Sequence, residues 1–355
     1  MTFLSLSMRF LANIDALNMV ESVGNLTKHR RASIVVKKGD EYMVTYVPAI
    51  SGESVAHAYQ SALVEMAKIF YPKDKLPVDE WSLRGEFFKY GDREHMPDEL
   101  KEILNEIEKR KKISTSEILE LKHNFEKVAI SKSLIADIGG FMVAEERLPI
   151  KRTSLFQTGY VIPTFDTLTA TAIDSQFHVR HIMSETIKRG EEEKVEERAA
   201  QAIYYVETAS ALYGLTFVLN LDGIGFTSMI KREVAVPEDE RKKRIKVALG
   251  ALSQLITGNG FGAKRSRFTP ISEITSITVA VSKPKPFIVS PPGRKEFIEE
   301  TLHRRNSFQE MMEKLGISSK VDLFAYSSEV KIPDNVNPAS NVEDLFKMVI
   351  EKLGL

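Results

Sequence analysis

The sequence contains no cysteine and no long apolar run. Without cysteine the chain can form neither a disulfide nor a thiolate metal site, and it has no cysteine nucleophile. No stretch approaches the roughly 18 apolar residues that a membrane span needs. The opening MTFLSLS also lacks the basic and apolar regions of a secretory signal. We therefore expect a cytoplasmic protein that has no membrane partner and performs no thiol chemistry.

The motifs of the common metal and nucleophile sites are missing as well. Seven histidines are present, but no two of them form an HxxxH pair. The GxSxG motif of serine hydrolases does not occur either. We therefore expect no metal ion, no cofactor and no catalytic residue.

Positive and negative charges balance in this chain. It has 49 basic and 49 acidic residues, so attraction to a polyanion would depend on segregated charge rather than on the total. Basic residues cluster at 28–31, 151–152, 241–246 and 264–267. Acidic residues concentrate at 92–108 and 185–197. Charge runs are usually solvated faces, and we interpret 241–246, on a predicted helix, in that way.

The N-terminal segment has the period of a half-buried strand. Residues 8–18 place Met8 and Phe10 on one side and Arg9 and Asp15 on the other. The side that carries Met8 is apolar, and we expect it to face the core. The opposite, polar side is expected to face solvent.

A hairpin, a helix and a charged insertion follow this strand. Residues 32–47 alternate around a turn at 38–40, which predicts a β-hairpin. Residues 51–70 carry apolar side chains at helical spacing, with Ser51 as the predicted N-cap. From 72 to 133 the composition becomes rich in lysine and glutamate with amphipathic periods, which indicates an inserted helical domain.

The remaining elements complete an α+β order. Strand patterns return after residue 134, a second helix begins at Pro237, and a last strand follows it. Without the insertion the order is strand, helix, strands, helix, strand, which predicts a ferredoxin-like core. A C-terminal extension at 284–355 carries two predicted helices, at about 294–315 and 342–353.

A glycine-rich loop, ITGNGFGAKRSRFTP at 256–270, follows the second helix and precedes a strand. A Rossmann loop requires the opposite order. A Walker A loop that begins at Gly258 would need glycine where this chain has Ala263, and serine or threonine where it has Arg265. We therefore do not expect a nucleotide site, and Gly258 alone fits a helix C-cap. Three cations nevertheless follow the glycines: Lys264, Arg265 and Arg267. A loop of this kind can lay backbone N–H groups and cations along a phosphate chain.

The start of the first helix, in PAISGESVAHAY, is a second candidate anion site. The free N–H groups near Gly52 would point outward with the positive end of the helix dipole. A plain N-cap explains the same residues, and Glu53 would repel a phosphate placed too near. His57 lies on the flank opposite the apolar stripe, so we expect it at the surface or in a groove.

Two strand-associated segments add polar side chains. In SQFHVR the alternation predicts that Phe177 and Val179 enter the core. The opposite face then carries Gln176, His178 and Arg180. After the first strand, NLTKHRRA supplies a polar run with Asn25, Lys28, His29 and Arg30. Each segment alone could be an ordinary solvated face, but together they fall on one predicted layer.

Five motifs in the same order resemble those of a known family: VESVGNLTKHRRA, YVPAISGESVAHAYQ, IADIGGFM, QFHVR and GAKRSRF. They are similar, over residues 8–282, to the archaeal type I-A Cascade backbone subunit, a DevR-like member of the repeat-associated mysterious protein superfamily. The resemblance implies a modified RRM-like palm formed by 8–71 with 134–283. It also implies a thumb-like insertion at about 180–202.

The resemblance further implies partners. Copies of the chain would line up head to tail as a helical filament along a CRISPR guide RNA, and the guide would pair with target DNA. A subunit of related fold would cap the 5′ end. Members of this type present the guide in antiviral defence and are not known as nucleases.

The family's RNA-groove motifs fall on Asn25, Lys28, His29, Ser51, Gly52, His57, Gln176, His178, Lys264, Arg265 and Arg267. Five further residues of these motifs and clusters complete the predicted RNA-binding set: Arg30, Arg152, Arg180, Gly260 and Gly262. The predicted thumb contains GEEEKVEER, whose acidity departs from what a nucleic-acid contact would require.

Two other functions remain open. One is an endoribonuclease that processes CRISPR RNA with His178 or His57 and the carboxylate of Asp137, with or without a metal ion. The other is a structural assembly protein without affinity for RNA. The RNP1 pattern of sequence-reading RRM sheets is absent, so affinity would come from the RNA backbone more than from base stacking.

Overall fold

The structure, a computed structural model, describes residues 2–109, 113–145, 148–179, 203–258 and 260–355. Strands β1 to β14 are Phe3–Asp15, Met19–Val23, Leu26–His29, Arg31–Lys38, Glu41–Pro48, Phe141–Glu145, Leu148–Arg152, Phe156–Thr158, Ile162–Pro163, Ala172–Val179, Ile203–Asn220, Ile271–Lys283, Lys320–Ser327 and Asn337–Pro338. Helices α1 to α9 are Gly52–Phe70, Glu80–Leu83, Asp98–Lys109, Thr115–Lys132, Leu134–Gly139, Glu238–Thr257, Arg265–Phe268, Phe297–Lys314 and Val342–Leu353.

A large mixed sheet organises the described residues. Its strand order is β14-β13-β12-β1-β11-β3-β2, and β8, β9 and β10 also pair with β11. β1 lies between β11 and β12 and is antiparallel to both. β3 pairs with β11 in parallel, as β14 does with β13. The predicted α+β class is confirmed.

Helices α1 and α6 cover one face of this sheet. Leu4, Leu6 and Met8 of β1 share a buried cluster with apolar side chains of both helices. The two helices are also tied by the Tyr59 hydroxyl, which donates to the carbonyl of Ala248 at 3.0 Å. Burying one such leucine contributes about 1.5–3 kcal/mol to the stability of the fold. The many apolar side chains buried on this face form the main core.

The opposite face of β1 was predicted to meet solvent, and that prediction is wrong. Arg9 is buried, and its guanidinium bonds the carboxylates of Asp166 at 3.0 Å and Glu329 at 2.9 Å. The start of the C-terminal extension also packs here, since the Ser5 hydroxyl donates to the Phe287 carbonyl at 2.8 Å. A polar strand face can therefore be buried where carboxylates neutralise its cation.

The charged insertion builds a second core around α3 and α4. Buried side chains of this cluster include Leu100, Phe125 and Phe141. The cluster continues through the β6–β7 hairpin to Ile150, so the insertion shares its apolar interior with the segment that follows it. Ser114 begins α4 with a capping box, in which its side chain and that of Glu117 satisfy each other's backbone N–H groups.

The C-terminal extension contains both predicted helices, α8 and α9. It also contains β13, which pairs with β12 along the edge of the main sheet and was not predicted. Leu345, Phe346 and Val349 of α9 are buried in the main core. The extension is thus integral to the sheet. Within the described part of the chain, no helix is long and apolar enough to cross a membrane.

Candidate nucleic-acid interface

The glycine-rich loop is anchored by its backbone. The N–H of Gly258 donates to the Gln254 carbonyl at 3.0 Å and ends α6, as a C-cap does. The N–H of Gly260 bonds the Leu255 carbonyl at 3.1 Å, and the N–H of Ala263 bonds the Leu17 carbonyl at 2.6 Å. The loop then enters the short helix α7 rather than a strand. Its glycines therefore fix the loop against the end of β1 and leave the contacts to the side chains that follow.

Gly262 is the tightest point of this anchor. Its φ is +104°, and a Cβ atom there would lie 2.4 Å from Leu17 Cδ2 and 3.0 Å from Leu17 Cα. We expect Gly262→Ala to lower the free energy of unfolding by about 2–3 kcal/mol, because strain and clash add. Gly316→Ala is the matched control: its φ is +71° with no atom within 4 Å, so it should cost only about 1 kcal/mol. Equal losses in denaturant unfolding would contradict the anchor.

The loop's cations differ in their surroundings. Lys264 and Arg267 are exposed, whereas Arg265 is half-buried and donates back to the Gly258 carbonyl at 3.2 Å. Partial burial lowers the pKa of the Lys264 ammonium group, and the charge of Arg267 lowers it further. A phosphate placed between these two cations would relieve that repulsion.

Arg267 connects the loop to β10 through a residue that the sequence analysis missed. Its guanidinium donates to the hydroxyl of Tyr204 on β11 at 3.0 Å. The ring of His178 stacks on Tyr204, with centroids 5.1 Å apart, and lies edge-on to Phe268 at 5.4 Å. Two separately predicted segments thus meet in one aromatic and cationic cluster. In the alternation along β11, Tyr204 falls on the side opposite most of the buried apolar residues. That pattern could have identified it as a surface residue.

The prediction that β10 turns Phe177 and Val179 into the core is wrong. Their side chains are 55% and 53% exposed, while Gln176 and His178 are half-buried. β10 pairs with residues 203–210 of β11, and of these only Ala209 also pairs with β1. Neither face of β10 packs on the core, so the alternation of apolar and polar residues along β10 does not separate a buried face from an exposed one. Arg180 and the predicted thumb at 180–202 lie outside the described residues.

The β2–β3 turn brings two predicted residues to the same end of β11. The Asn25 carbonyl accepts the N–H of Tyr205 at 2.8 Å, next to Tyr204 in sequence. Lys28 is half-exposed, and its ammonium lies 3.4 Å from Glu21. An exposed pair of this length is weak, so Lys28 is available to a stronger anion. The Asn25 backbone therefore lies beside Tyr204, whereas the pairing of Leu26 with Tyr205 puts the Lys28 side chain on the other face of the strands.

His29 does not reach this surface, which corrects its place in the predicted set. It is buried, with Nε2 2.8 Å from Asp15 Oδ1 and Nδ1 2.9 Å from the Arg30 carbonyl. The same Asp15 carboxylate accepts the Tyr213 hydroxyl at 2.9 Å. Both ring nitrogens of His29 are thus engaged inside the protein. The residue holds β3 against β1 and cannot contact RNA directly.

Arg152 is also removed from the surface. Its guanidinium is buried and bonds Asp137 at 2.6 Å and Glu126 at 3.0 Å. Asp137 in turn bonds Arg244 at 3.0 Å, and all four of these side chains are buried. Sequence clustering placed Arg152 in a basic patch, but two carboxylates from other elements neutralise it. Arg152 is a structural residue of the second core.

The start of α1 is a plain N-cap. Ser51 is buried, and its hydroxyl accepts the N–H of Ser54 at 3.3 Å. Gly52 packs against the chain at Thr158, where a Cβ atom would approach the carbonyl oxygen to 3.1 Å. Bonds from its own backbone N–H and from the Ser51 hydroxyl lower the pKa of Glu53. That carboxylate is therefore ionised at neutral pH and weakens the helix start as an anion site.

Residues 17 and 18 nevertheless join this helix start to the basic loop. The Asn18 side chain accepts the N–H of Ser51 at 3.0 Å, and its carbonyl accepts the N–H of Arg30 at 2.7 Å. Leu17 holds the loop, as described above. The Arg30 guanidinium donates to the Tyr160 hydroxyl at 3.4 Å. Ser51, Arg30 and the basic loop thus converge at the end of β1.

His57 lies at the surface, as expected, with its ring 5.0 Å from that of Phe87. Within the described parts of the chain, no group of acidic and histidine side chains is arranged to hold a metal ion. The side chains that the basic loop and β10 bring together are the cation Arg267 and the rings of Tyr204, His178 and Phe268. Such a surface can bind phosphates and support bases.

Comparison with known proteins identifies the family. Residues 6–302 match the family model described as CRISPR-associated negative auto-regulator DevR/Csa2, and the chain belongs to this family. A Saccharolobus solfataricus protein described as a CRISPR-associated aCascade subunit, Cas7/Csa2 2, is 37% identical over 346 residues, covering 96% of this chain and 97% of its own. A Methanocaldococcus jannaschii Cas7/Cst2/DevR protein is 29% identical, covering 99% of this chain and 100% of its own.

Two solved structures are also similar. Both are described as CRISPR RNA-guided surveillance complexes, one of them pre-nicking, and their matching chains cover 99% of this chain and are themselves 99% covered. Sequence identities are 10% and 9%, and TM-scores are 0.49 and 0.45. The family resemblance predicted from the five motifs is confirmed by the family match and the curated relatives.

Proposed function

We propose that this chain is a guide-RNA-binding backbone subunit of an archaeal Cascade-type CRISPR surveillance complex. The observation that carries the proposal is 37% identity, over 96% of the chain, to a protein described as an aCascade subunit. The surface built by the basic loop and the Tyr204 cluster is consistent with that role. In this account the protein binds RNA, and base pairing by the guide supplies sequence specificity.

We propose a modified RRM-like palm as the base of this surface. The sheet supports it: β12, β1 and β11 are adjacent and antiparallel, and β8, β9 and β10 also pair with β11 in antiparallel fashion. Helices α1 and α6 lie on one face, as in a ferredoxin-like core. The palm would be 8–71 with 134–283, and 72–133 and 284–355 would be an inserted helical domain and a C-terminal extension.

The RNA groove would run along the end of β1 and the start of β11. Lys264, Arg267 and Arg30 would contact phosphates, and Lys28 would do so from the other face of its strand. His178 with Tyr204 offers a ring face on which a base can stack. Gln176 and Asn25 would add amide contacts, while Ser51, Gly52, Gly260 and Gly262 shape the backbone. Contacts of this kind give salt-dependent, sequence-tolerant affinity.

The partners follow from this role. Copies of the chain would bind head to tail. A heterologous interface of this kind forms an open helical filament when its rotation does not close into a ring. The guide would then pair with target DNA, and a Cascade subunit of related fold would cap its 5′ end.

We propose that the protein does not cleave RNA. The endoribonuclease hypothesis relies on the Asp137 carboxylate together with His178 or His57, yet Asp137 is buried between two guanidiniums. Labelled repeat RNA should therefore remain intact on incubation with the purified protein, with or without magnesium. Cleavage at a defined position that disappears in His178→Ala, with His57→Ala as a second test, would establish the enzyme instead.

A further inference from the structure

The β4–β5 hairpin is the most exposed apolar element among the described residues. Its strands pair only with each other, from Arg31 opposite Pro48 to Lys38 opposite Glu41. Isolated two-stranded hairpins are marginally stable in water, and exposed apolar patches of this kind mark interaction sites. The hairpin leaves the body of the protein at Arg30 and Ala49, where the Ala49 N–H bonds the Arg30 carbonyl at 3.0 Å. It therefore projects from the rim of the proposed groove.

The regular register assigns the side chains to two faces, since directly opposed residues share a face. One face carries Tyr46 opposite Ser33, Val44 opposite Val35, and Tyr42 opposite Lys37. We call this the tyrosine face. Its two tyrosines are the most exposed of the hairpin's large apolar and aromatic residues: Tyr42 is 72% and Tyr46 is 73% exposed. The other face carries Met43, Lys38 and Glu41 and is in part half-buried.

The charge on the two faces differs in a way that selects a partner. The tyrosine face carries the exposed cation Lys37, and none of its paired positions holds a carboxylate. Arg31 lies on the same face but forms an ion pair with Glu207 at 3.0 Å, so it does not add a free charge. On the opposite face Lys38 is balanced by Glu41 directly across from it. Two exposed rings beside an unbalanced lysine match a strand of phosphates with unstacked bases.

We infer that the tyrosine face is a second nucleic-acid contact, on which bases of a single strand stack on Tyr42 and Tyr46 while Lys37 neutralises a phosphate. None of these three residues belongs to the predicted RNA-binding set, so the inference goes beyond the proposed groove. The strand is RNA, because the hairpin leaves the body at Arg30, which belongs to the proposed RNA groove; in this respect the inference rests on the proposed function.

The test measures binding of short single-stranded RNA and DNA oligonucleotides of one sequence to the full-length protein. Replacing both tyrosines by leucine should weaken binding roughly 30-fold, whereas Tyr42→Phe with Tyr46→Phe should leave it nearly unchanged. Lys37→Ala should flatten the salt slope by roughly 0.7. Lys38→Ala is the matched control with the same charge change on the other face, and it should leave the slope unchanged.

The outcomes separate the possibilities. Loss of RNA binding supports the inference, and loss of DNA binding alone overturns it. Unchanged binding in the leucine variant, or equal loss in the phenylalanine variant, overturns it. A leucine variant that changes only the sedimentation of the protein without nucleic acid identifies a protein interface and also overturns it. Failure of the proposed groove would give a different result. In that case, replacing Lys264 and Arg267 by alanine would leave the affinity for RNA unchanged.

Discussion

Replacement of Lys264, Arg265 and Arg267 by alanine should weaken binding to unrelated RNAs about equally, by roughly 10- to 100-fold near physiological salt. The reason is that phosphate contacts carry no sequence information but release counterions. Each lost contact to a single strand removes roughly 0.7 from the salt slope, so loss of the two contacts of Lys264 and Arg267 should flatten the slope by about 1.4. Most of the effect should come from Lys264 and Arg267, which are exposed.

The control removes the same charge elsewhere. Lys242, Lys246 and Lys347 are exposed on α6 and α9, away from the loop in sequence. Their replacement by alanine should change affinity and slope little. Filter binding across a salt series measures both variants. Identical slopes for the two triple variants would show that the loop has no special role in phosphate contact.

Asp137→Asn should lower the free energy of unfolding by about 3–5 kcal/mol. Asp137 is buried and bonds Arg152 at 2.6 Å and Arg244 at 3.0 Å, and the Gly225 N–H also donates to it at 3.0 Å. Neutralising the carboxylate leaves two buried guanidiniums with less compensating charge. Denaturant unfolding under conditions of reversible refolding measures the loss.

Asp334→Asn is the matched comparison, because Asp334 is exposed and a surface substitution should stay within about 0.5 kcal/mol. The endoribonuclease hypothesis makes the opposite prediction for Asp137. A variant that folds with undiminished stability but loses an RNA-cleaving activity would assign Asp137 to catalysis and refute its structural role.

Much of the fold could be predicted from the sequence, because the local periodicity of apolar residues agrees with their burial. The apolar side of β1, the α1 helix with its Ser51 cap and the hairpin turning near Gly39 each follow from nearby residues. The C-terminal helices were predicted within a few residues. β13 was missed because its buried and exposed residues do not alternate strictly and its pairing with β12 joins residues far apart in the chain.

Site residues were less predictable, because the decisive contacts are not local. The basic clusters at 28–31 and 151–152 do not reveal that His29 is buried and hydrogen-bonded to Asp15. Nor do they reveal that Glu126 and Asp137 neutralise Arg152. Tyr204 became visible only when β10, β11 and the basic loop were brought together. Conversely, Lys264 and Arg267 lie on the surface, as their position after a glycine-rich loop indicated.

The central claim is that this chain binds RNA through distributed phosphate contacts. Its most direct test is the affinity of the purified wild-type protein for two RNAs of unrelated sequence across a salt series. We expect similar affinities for both, with the logarithm of the binding constant falling linearly as the logarithm of salt concentration rises. Negligible binding of both RNAs at low salt would contradict the account and favour a structural assembly protein.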